Sequence, residues 1–468
     1  MYSLRRRDNR RSLTERLLIY ILPGLAVATG ALLGLLVPPA VDALRDRVSR
    51  RAQHQQQLAH RADAAAAKRS EQLRSHFHPR GRGILPSIVR EGSYFMGRVQ
   101  ALRELADWIN GEGLDVARSR VVTGAPGSGK SAVLGRLVGL AHAELHSAVI
   151  ATAPVATRPQ VGSIDVAVHV RGRTADEVAA EIAHDLAIDE VTCSGLLAHL
   201  REGFELRSTV VVVDAVDEAT DAHRLIVDLL EPLAAVSERT GIRLLVGTRR
   251  GGQDHLLRLF GASALVLDLD EERYLDRRDV AEYVRRTLLA EPDPQIRTPY
   301  RARPALAATI AAAVAARVGS SFLVAQLTAL SLMASDDPVD TRSSGWAQTF
   351  PTTVGAAMDR YLRDVQPGEP WLRDLLMALA WSQGDGFSNP RTWAAAASVL
   401  GTDVYSERDV TRLLLDTGAV DLLHRTAHGD HVAFRLFHEA LAEYLREVNT
   451  RQRTAVEVHC RLTDILLV

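Results

Sequence analysis

Residues 124–131 decide the fold, and they have the sequence Gly124-Ala125-Pro126-Gly127-Ser128-Gly129-Lys130-Ser131. A short apolar strand, Arg120–Thr123, precedes them, and an apolar helix-forming run, Ala132–Leu145, follows. A glycine-rich turn between a strand and a helix directs backbone N–H groups at phosphate oxygens, and the helix dipole favours the same anion. The pattern predicts that all eight residues bind a nucleotide, with Lys130 at the β- and γ-phosphates and Ser131 as a ligand of Mg²⁺.

A second apolar strand, Thr209–Val213, ends in a cluster of acidic residues. Asp214 follows the strand directly, and Asp217 and Glu218 come shortly after it. A continuous apolar run fits a strand that is buried on both faces of a parallel sheet. Asp214 is therefore predicted to bind Mg²⁺, and Asp217 or Glu218 to orient or deprotonate the attacking water. The alternative is a strand followed by a solvated acidic turn.

A third apolar strand, Ile242–Gly247, ends at two consecutive arginines, Arg249 and Arg250. A guanidinium group at such an edge suits phosphate oxygens, because its planar fork donates two parallel hydrogen bonds. Arg249 is predicted to be the catalytic arginine that faces the γ-phosphate. Arg250 in that role, or a surface position for both, stays open.

Further strand patterns at 164–170 and 264–269 alternate with helical patterns at 175–187, 194–206 and 222–239. Alternating strands and helices predict an α/β protein with a doubly wound parallel sheet, whose ligand lies at the carboxyl ends of the strands. Residues 93–275 are predicted to form this P-loop NTPase domain.

Strand patterns nearly disappear after residue 276. Helical patterns predict a helical lid domain at 276–345, and helices followed by a hairpin predict a winged-helix-like domain at 346–450, with a C-terminal helix at 451–468. Residues 371–448 contain 7 Arg against 11 Asp or Glu. Because nucleic-acid binding relies on cationic surfaces, no nucleic-acid partner is expected.

The N-terminal part of the chain is basic, with 17 Arg or Lys against 7 Asp or Glu in residues 1–92, although the whole chain has a net charge of −1. Leu17–Val37 is a run of 21 residues without a charge, long enough to cross a hydrocarbon core of about 30 Å. It predicts a transmembrane helix between a basic tail at 1–16 and a helical stalk and linker at 38–92. A buried core helix, a signal peptide and a peripheral insertion are the alternatives.

Residues 76–83, His-Phe-His-Pro-Arg-Gly-Arg-Gly, are predicted to break the stalk helix, because proline and glycine disfavour its continuation. The segment holds two histidines but no cysteine or carboxylate, so no metal site is expected there.

Together these motifs resemble those of the bacterial STAND ATPases, a NACHT/NB-ARC-like class of signalling switches, over roughly residues 76–450. The resemblance rests on the P-loop, on the doubled acidic segment 214–218, on Thr248-Arg249, on Phe95-Met96-Gly97-Arg98 and on the segment 436–445. It implies that Phe95, Gly97 and Arg98 bind the nucleotide near the adenine. It also implies that His438 contacts the β-phosphate of ADP, whereas the residues alone equally allow a histidine that starts a helix.

The combined prediction is a membrane-anchored switch that binds ATP or ADP with Mg²⁺ and hydrolyses ATP slowly. The nucleotide site requires ATP, so the ATPase body is expected in the cytoplasm at the cell membrane, although the arginines that flank the single span favour the opposite orientation. Exchange of ADP for ATP would open the molecule and favour a homo-oligomer, and an unknown sensor or effector protein is expected as a partner. The alternatives are an AAA+ initiator-like ATPase with a DNA-binding winged helix and a membrane scaffold that does not hydrolyse ATP.

Overall fold

Five short strands rich in valine and leucine form a parallel sheet in this computed structural model. The structure describes residues 70, 72–84, 92–112, 119–143, 145, 153–202, 209–250, 255–261, 264–293, 295–366, 370–428, 431–450 and 457–458. The strands of the sheet are β1 (Ser119–Thr123), β2 (Val166–His169), β3 (Thr209–Asp214), β4 (Ile242–Gly247) and β5 (Ala264–Asp268).

The sheet has the order β2-β3-β4-β1-β5, and every neighbouring pair is parallel. The carboxyl ends of β1, β3 and β4 therefore lie side by side, and these ends carry the phosphate-binding loop, the acidic cluster and the two arginines. On β2, His169 is in register with Asp214 of β3. The predicted parallel α/β sheet is confirmed.

Helices cover both faces of the sheet, since alternate residues of each buried strand point to opposite faces. The helices of this half are α1 (His78–Gly81), α2 (Val99–Asn110), α3 (Lys130–Ala141), α4 (Ala175–Asp185), α5 (Cys193–Arg201), α6 (Ala222–Leu225), α7 (Glu231–Thr240) and α8 (His255–Leu259). One face packs against α4 to α7, and the other packs against α2 and α3. The predicted helix at 222–239 consists of α6, a π-helical turn at Ile226–Leu230 and α7.

The C-terminal half is helical apart from one hairpin. Its elements are α9 (Arg277–Leu289), α10 (Pro304–Val318), α11 (Phe322–Ala334), α12 (Val354–Val365), α13 (Pro370–Trp381), α14 (Pro390–Leu400), α15 (Glu407–Asp416), β6 (Leu423–His428), β7 (His431–Leu436) and α16 (Glu439–Thr450). Strands β6 and β7 are antiparallel. These elements share one hydrophobic core, which runs from Val280 in the predicted lid to Leu445 in α16. The lid and the domain after it are therefore packed as one body.

The segment before the sheet differs from its prediction. Leu73–Phe77 forms a π-helical turn that continues into α1, so the predicted helix break at 76–83 is wrong for residues 76–81. Pro79 is the second residue of α1 and lies directly after the π-helical turn, and the helical backbone continues past it to Gly81.

The tail at 1–16, the run at 17–37 and most of the stalk lie outside the described residues. In the part of the chain that the structure describes, no helix is both long enough and apolar enough to cross a bilayer. The predicted single-pass location at the cell membrane finds no support in the described residues and is not retained.

Candidate functional site

The phosphate-binding loop connects the end of β1 to α3. Gly129 caps α3 with a φ of 96°, and Lys130 is the first residue of the helix. The Lys130 ammonium group donates to the carbonyl oxygens of Gly124 at 2.9 Å and Ala125 at 3.0 Å. Burial lowers the pKa of Lys130 to about 8. A desolvated cation that rests on neutral carbonyl oxygens is stabilised when an anion binds beside it.

Two residues from outside the loop hold its backbone in place. Asp270 Oδ2 accepts a hydrogen bond from the Ala125 N–H at 2.6 Å. Arg98 is 3% exposed and donates to the carbonyl oxygens of Ser128 at 2.7 Å and Tyr274 at 2.9 Å. Arg98 thus holds the backbone of the phosphate loop. Asp270 holds it as well, and the sequence analysis did not predict this residue.

Asp214 ends β3 opposite the start of α3. Its Oδ1 accepts from the Ser131 hydroxyl at 3.2 Å, and its side chain is 1% exposed. Burial raises its pKa to about 6. A buried carboxylate beside a serine hydroxyl is the donor set that Mg²⁺ prefers, and it gains from a cation because burial disfavours its charge. Asp214 and Ser131 therefore fit the predicted metal site.

A strained turn connects the end of β3 to the other two acidic residues, Asp217 and Glu218. Ala215 has a φ of 63°, an unusual value for a residue with a side chain, and a 3₁₀ turn at Val216–Glu218 follows. Burial raises the pKa of Glu218 to about 7. Such strain is often found at functional sites, and a carboxyl group that titrates near neutrality suits general base catalysis.

Arg249 lies among these carboxylates and also reaches the C-terminal domain. Its Nε is 2.9 Å from Asp217 Oδ2, its Nη2 is 3.8 Å from Glu218 Oε1, and its Nη1 is 2.6 Å from Glu443 Oε1 in α16. Arg250 instead pairs with Asp268 and is about half exposed. Of the two consecutive arginines, the structure brings Arg249 to the acidic cluster.

A single cleft joins the loop, the acidic cluster, the helices α9 and α11 and the start of α16. One end is apolar, and its walls include Ile84, Phe95, Met96, Tyr283 and Phe322. The other end carries Lys130, Arg249 and Arg80. An apolar part and a cationic part of the lining suit the base and the phosphates of a nucleotide.

His438 lies between β7 and α16 and also lines the cleft. Its Nδ1 accepts from the Ala440 N–H at 3.1 Å, so it caps the start of α16. Burial, Arg249 and Lys130 hold its pKa well below the usual range. In the neutral ring, Nε2 then carries the hydrogen. His438 thus starts α16 and also lines the cleft, and its predicted contact with the β-phosphate of ADP stays a prediction.

Most of the residues predicted from the sequence meet in this cleft. Those that line it are Phe95, Arg98, Pro126, Gly127, Ser128, Gly129, Lys130, Ser131, Asp214, Asp217, Glu218, Arg249 and His438. Gly97, Gly124 and Ala125 do not line it: Gly97 packs against Asp279, and the other two support Lys130. The predicted roles of all these residues remain predictions.

Other residues of the cleft were not predicted. His76 and Arg80 come from the segment before the sheet, His169 ends β2, and Gln326 belongs to α11. A histidine that ends a strand beside the acidic strand is a signal that sequence analysis could have used for His169. No local pattern distinguishes the others, because their partners lie far away in the chain.

No protein-family model matches the chain, and no curated protein sequence matches it. Solved structures with a similar fold include the Orc1 protein of Aeropyrum pernix in complex with DNA, at 14% identity and a TM-score of 0.32, over 77% of this chain and 93% of that one. The ORC2 protein of the same organism, in ADPNP–ADP complexes, has 11% identity and a TM-score of 0.29 over 76% of this chain and 94% of that one. PCH-2 of C. elegans has 14% identity and a TM-score of 0.29 over 57% of this chain and 67% of that one.

With TM-scores of 0.32 and below, these similarities carry no conclusion about this chain. The parallel sheet, the loop after β1 and the acidic end of β3 define a P-loop nucleotide-binding protein. The expectation that no nucleic acid is bound is not retained. That prediction rested on the net charge of 371–448, and a net charge does not describe the local surface that a nucleic acid would contact.

Proposed function

We propose that this chain is an ATP-driven conformational switch, a P-loop ATPase whose C-terminal body closes on the phosphate end of the nucleotide. The observation that carries the proposal is the position of Arg249, which bridges Asp217 beside the phosphate loop and Glu443 on α16. One cationic side chain is thus shared between the catalytic cluster and the C-terminal body.

The nucleotide would lie with its base at the apolar end of the cleft and its phosphates at the loop. Lys130 and the N–H groups of the loop would bind the β- and γ-phosphates. Ser131 and Asp214 would hold Mg²⁺, which neutralises phosphate charge when bound. Glu218 would accept a proton from the attacking water, and Asp217 would hold Arg249 at the cluster.

Opening would follow from competition for Arg249. With ADP in the cleft, Arg249 stays between Asp217 and Glu443 and keeps α16 on the sheet. A γ-phosphate carries more negative charge than the Glu443 carboxylate, whose pairing with Arg249 is screened by solvent because Glu443 is about half exposed, and the bond to Glu443 is weakened. Such a difference in contacts between two nucleotides is what shifts a conformational population. The resemblance of 214–218 and of His438 to STAND motifs supports the same assignment.

Replacing Glu443 by glutamine should accelerate ADP release about two- to fivefold, because a partly exposed ion pair contributes at most about 1 kcal/mol. Stopped-flow chase of a fluorescent ADP analogue measures this rate. Glu447→Gln, one turn further along α16, is the matched control and should release ADP at the wild-type rate. Equal rates for all three proteins would contradict the bridging role of Arg249.

An AAA+ initiator-like ATPase is the second candidate. It is favoured by the order of elements, in which an ATPase sheet is followed by lid helices and then by helices with a β-hairpin. It retains the ATP chemistry above and adds duplex DNA as a ligand of the C-terminal body. Fluorescence anisotropy with a labelled duplex, at two salt concentrations and with ADP or ATP, separates the two candidates. Salt-sensitive, nucleotide-dependent binding would favour the initiator.

A further inference from the structure

The segment before the sheet is built into the nucleotide site. Phe77 is fully buried, and α1 lies directly against α3, the helix that follows the phosphate loop. A Cβ added at Gly81 would be 2.5 Å from the Gly135 carbonyl oxygen, and one added at Gly135 would be 2.4 Å from the Phe77 carbonyl oxygen. Because both positions are glycine, the two backbones touch, and the segment is fixed relative to the loop.

This docking directs His76 at the predicted magnesium ligand. His76 Nε2 lies 2.8 Å from Asp214 Oδ2, and both side chains are almost fully buried. Asp214 uses its other oxygen, Oδ1, for the Ser131 hydroxyl. The carboxylate is thus held from both sides, with one oxygen turned towards Ser131 and the other towards His76.

His169 supports this arrangement from β2. Its ring stacks on that of His76 with centroids 3.5 Å apart and an angle of 21° between the planes. The register of β2 with β3 places His169 next to Asp214. Stacking against a ring that is anchored in a strand restricts the orientation of the His76 imidazole.

The three residues have the composition of a transition-metal site, but their geometry does not fit one. A metal ion lies in the plane of each imidazole that binds it, at about 2.1 Å from the nitrogen. Two nearly parallel rings 3.5 Å apart have no such point in common. A hydrogen bond from His76 to a carboxylate agrees with the observed contact.

We propose that His76 is a positioning residue for the magnesium carboxylate, so that the segment 73–82 forms an integral part of the cation site. His76 donates from Nε2 to Asp214 Oδ2 and holds Oδ1 on the side of Ser131, where the cation of the nucleotide would bind. The inference rests on the proposed ATPase function. Partners in this outer position typically change metal affinity by about 10- to 100-fold when they are removed.

The test measures how much Mg²⁺ strengthens binding of a fluorescent ATP analogue, from titrations in EDTA and in Mg²⁺. In EDTA, His76→Ala should bind the analogue with the wild-type affinity. The factor by which Mg²⁺ strengthens this binding should be about tenfold smaller in His76→Ala than in the wild type. His76→Gln should recover most of this gain, because its amide can donate from nearly the same place as Nε2. His78→Ala, two residues away in the same segment and outside the cleft, should match the wild type.

Mn²⁺ titration followed by electron paramagnetic resonance, with ADP present, measures the cation affinity independently of ATP turnover. It should rank the variants by cation affinity in the same order as the Mg²⁺ experiment does. A full Mg²⁺ gain in His76→Ala, or an equal loss of affinity in EDTA, would overturn the proposal. So would a Co²⁺ absorption band in the nucleotide-free wild type that disappears in both His76→Ala and His169→Ala, because the histidines would then be ligands. A wild-type protein that binds no ATP analogue at all would refute the ATPase function itself.

Discussion

Replacing Lys130 by alanine is expected to weaken ATP binding by at least about 100-fold. Lys130 is the half-buried cation of the phosphate loop, and its ammonium group donates hydrogen bonds to the carbonyl oxygens of Gly124 and Ala125. When phosphate binds, each hydrogen bond from this ammonium to a charged oxygen contributes about 1.5–3 kcal/mol. Because two phosphates lie within its reach, the loss amounts to roughly two orders of magnitude in affinity.

Isothermal titration calorimetry with ATP and Mg²⁺ measures this loss. Lys68 is the other lysine of the chain and lies outside the loop, so Lys68→Ala is a matched control that should bind ATP with the wild-type affinity. If Lys130→Ala is folded and binds ATP as the wild type does, the assignment of the loop is wrong.

The second large effect concerns hydrolysis. Replacing Glu218 by glutamine should leave ATP bound and slow its single-turnover hydrolysis by about 100-fold or more, since a positioned general base contributes about 10²- to 10⁴-fold.

The same residue predicts a pH dependence. Burial raises the pKa of Glu218 to about 7, and only the ionised carboxylate accepts a proton. The rate should therefore fall about tenfold per pH unit below pH 7 and level off above it.

The Glu218→Gln variant distinguishes the titration of Glu218 from that of other groups, because the residual hydrolysis rate of this variant should no longer change with pH around 7. Glu181→Gln is a suitable control, since Glu181 is another partly buried carboxylate paired with an arginine, Arg173, outside the cleft. Unchanged hydrolysis in both Glu218→Gln and Asp217→Asn would show that the acidic pair is structural and that neither carboxylate is the general base.

Local sequence patterns were sufficient for the sheet and the loop. Buried parallel strands consist of continuous apolar residues, so Thr209–Asp214 and Ile242–Gly247 could be delimited to within a residue. The phosphate loop depends on residues that are consecutive in the chain. Both features are determined by neighbours in sequence, and this is why they could be predicted.

The parts that could not be predicted depend on contacts between distant residues. His76 is 138 residues from Asp214, and its segment contains proline and glycine, which on their own indicate a helix break. The choice between Arg249 and Arg250 depends on which side chain the end of β4 turns towards Asp217. The bridge from Arg249 to Glu443 crosses 194 residues, and no periodicity reveals it.

The central claim, that the C-terminal body senses the nucleotide, is tested most directly by the ADP dissociation rate of two His438 variants. His438→Ala removes both the helix cap and the imidazole, whereas His438→Asn keeps a side chain that caps helices well. A lost contact to a charged phosphate costs about 1.5–3 kcal/mol, which corresponds to roughly 10- to 150-fold. The account predicts that both variants release a fluorescent ADP analogue faster than the wild type by such a factor. A wild-type rate in His438→Asn would contradict it, because His438 would then only start α16.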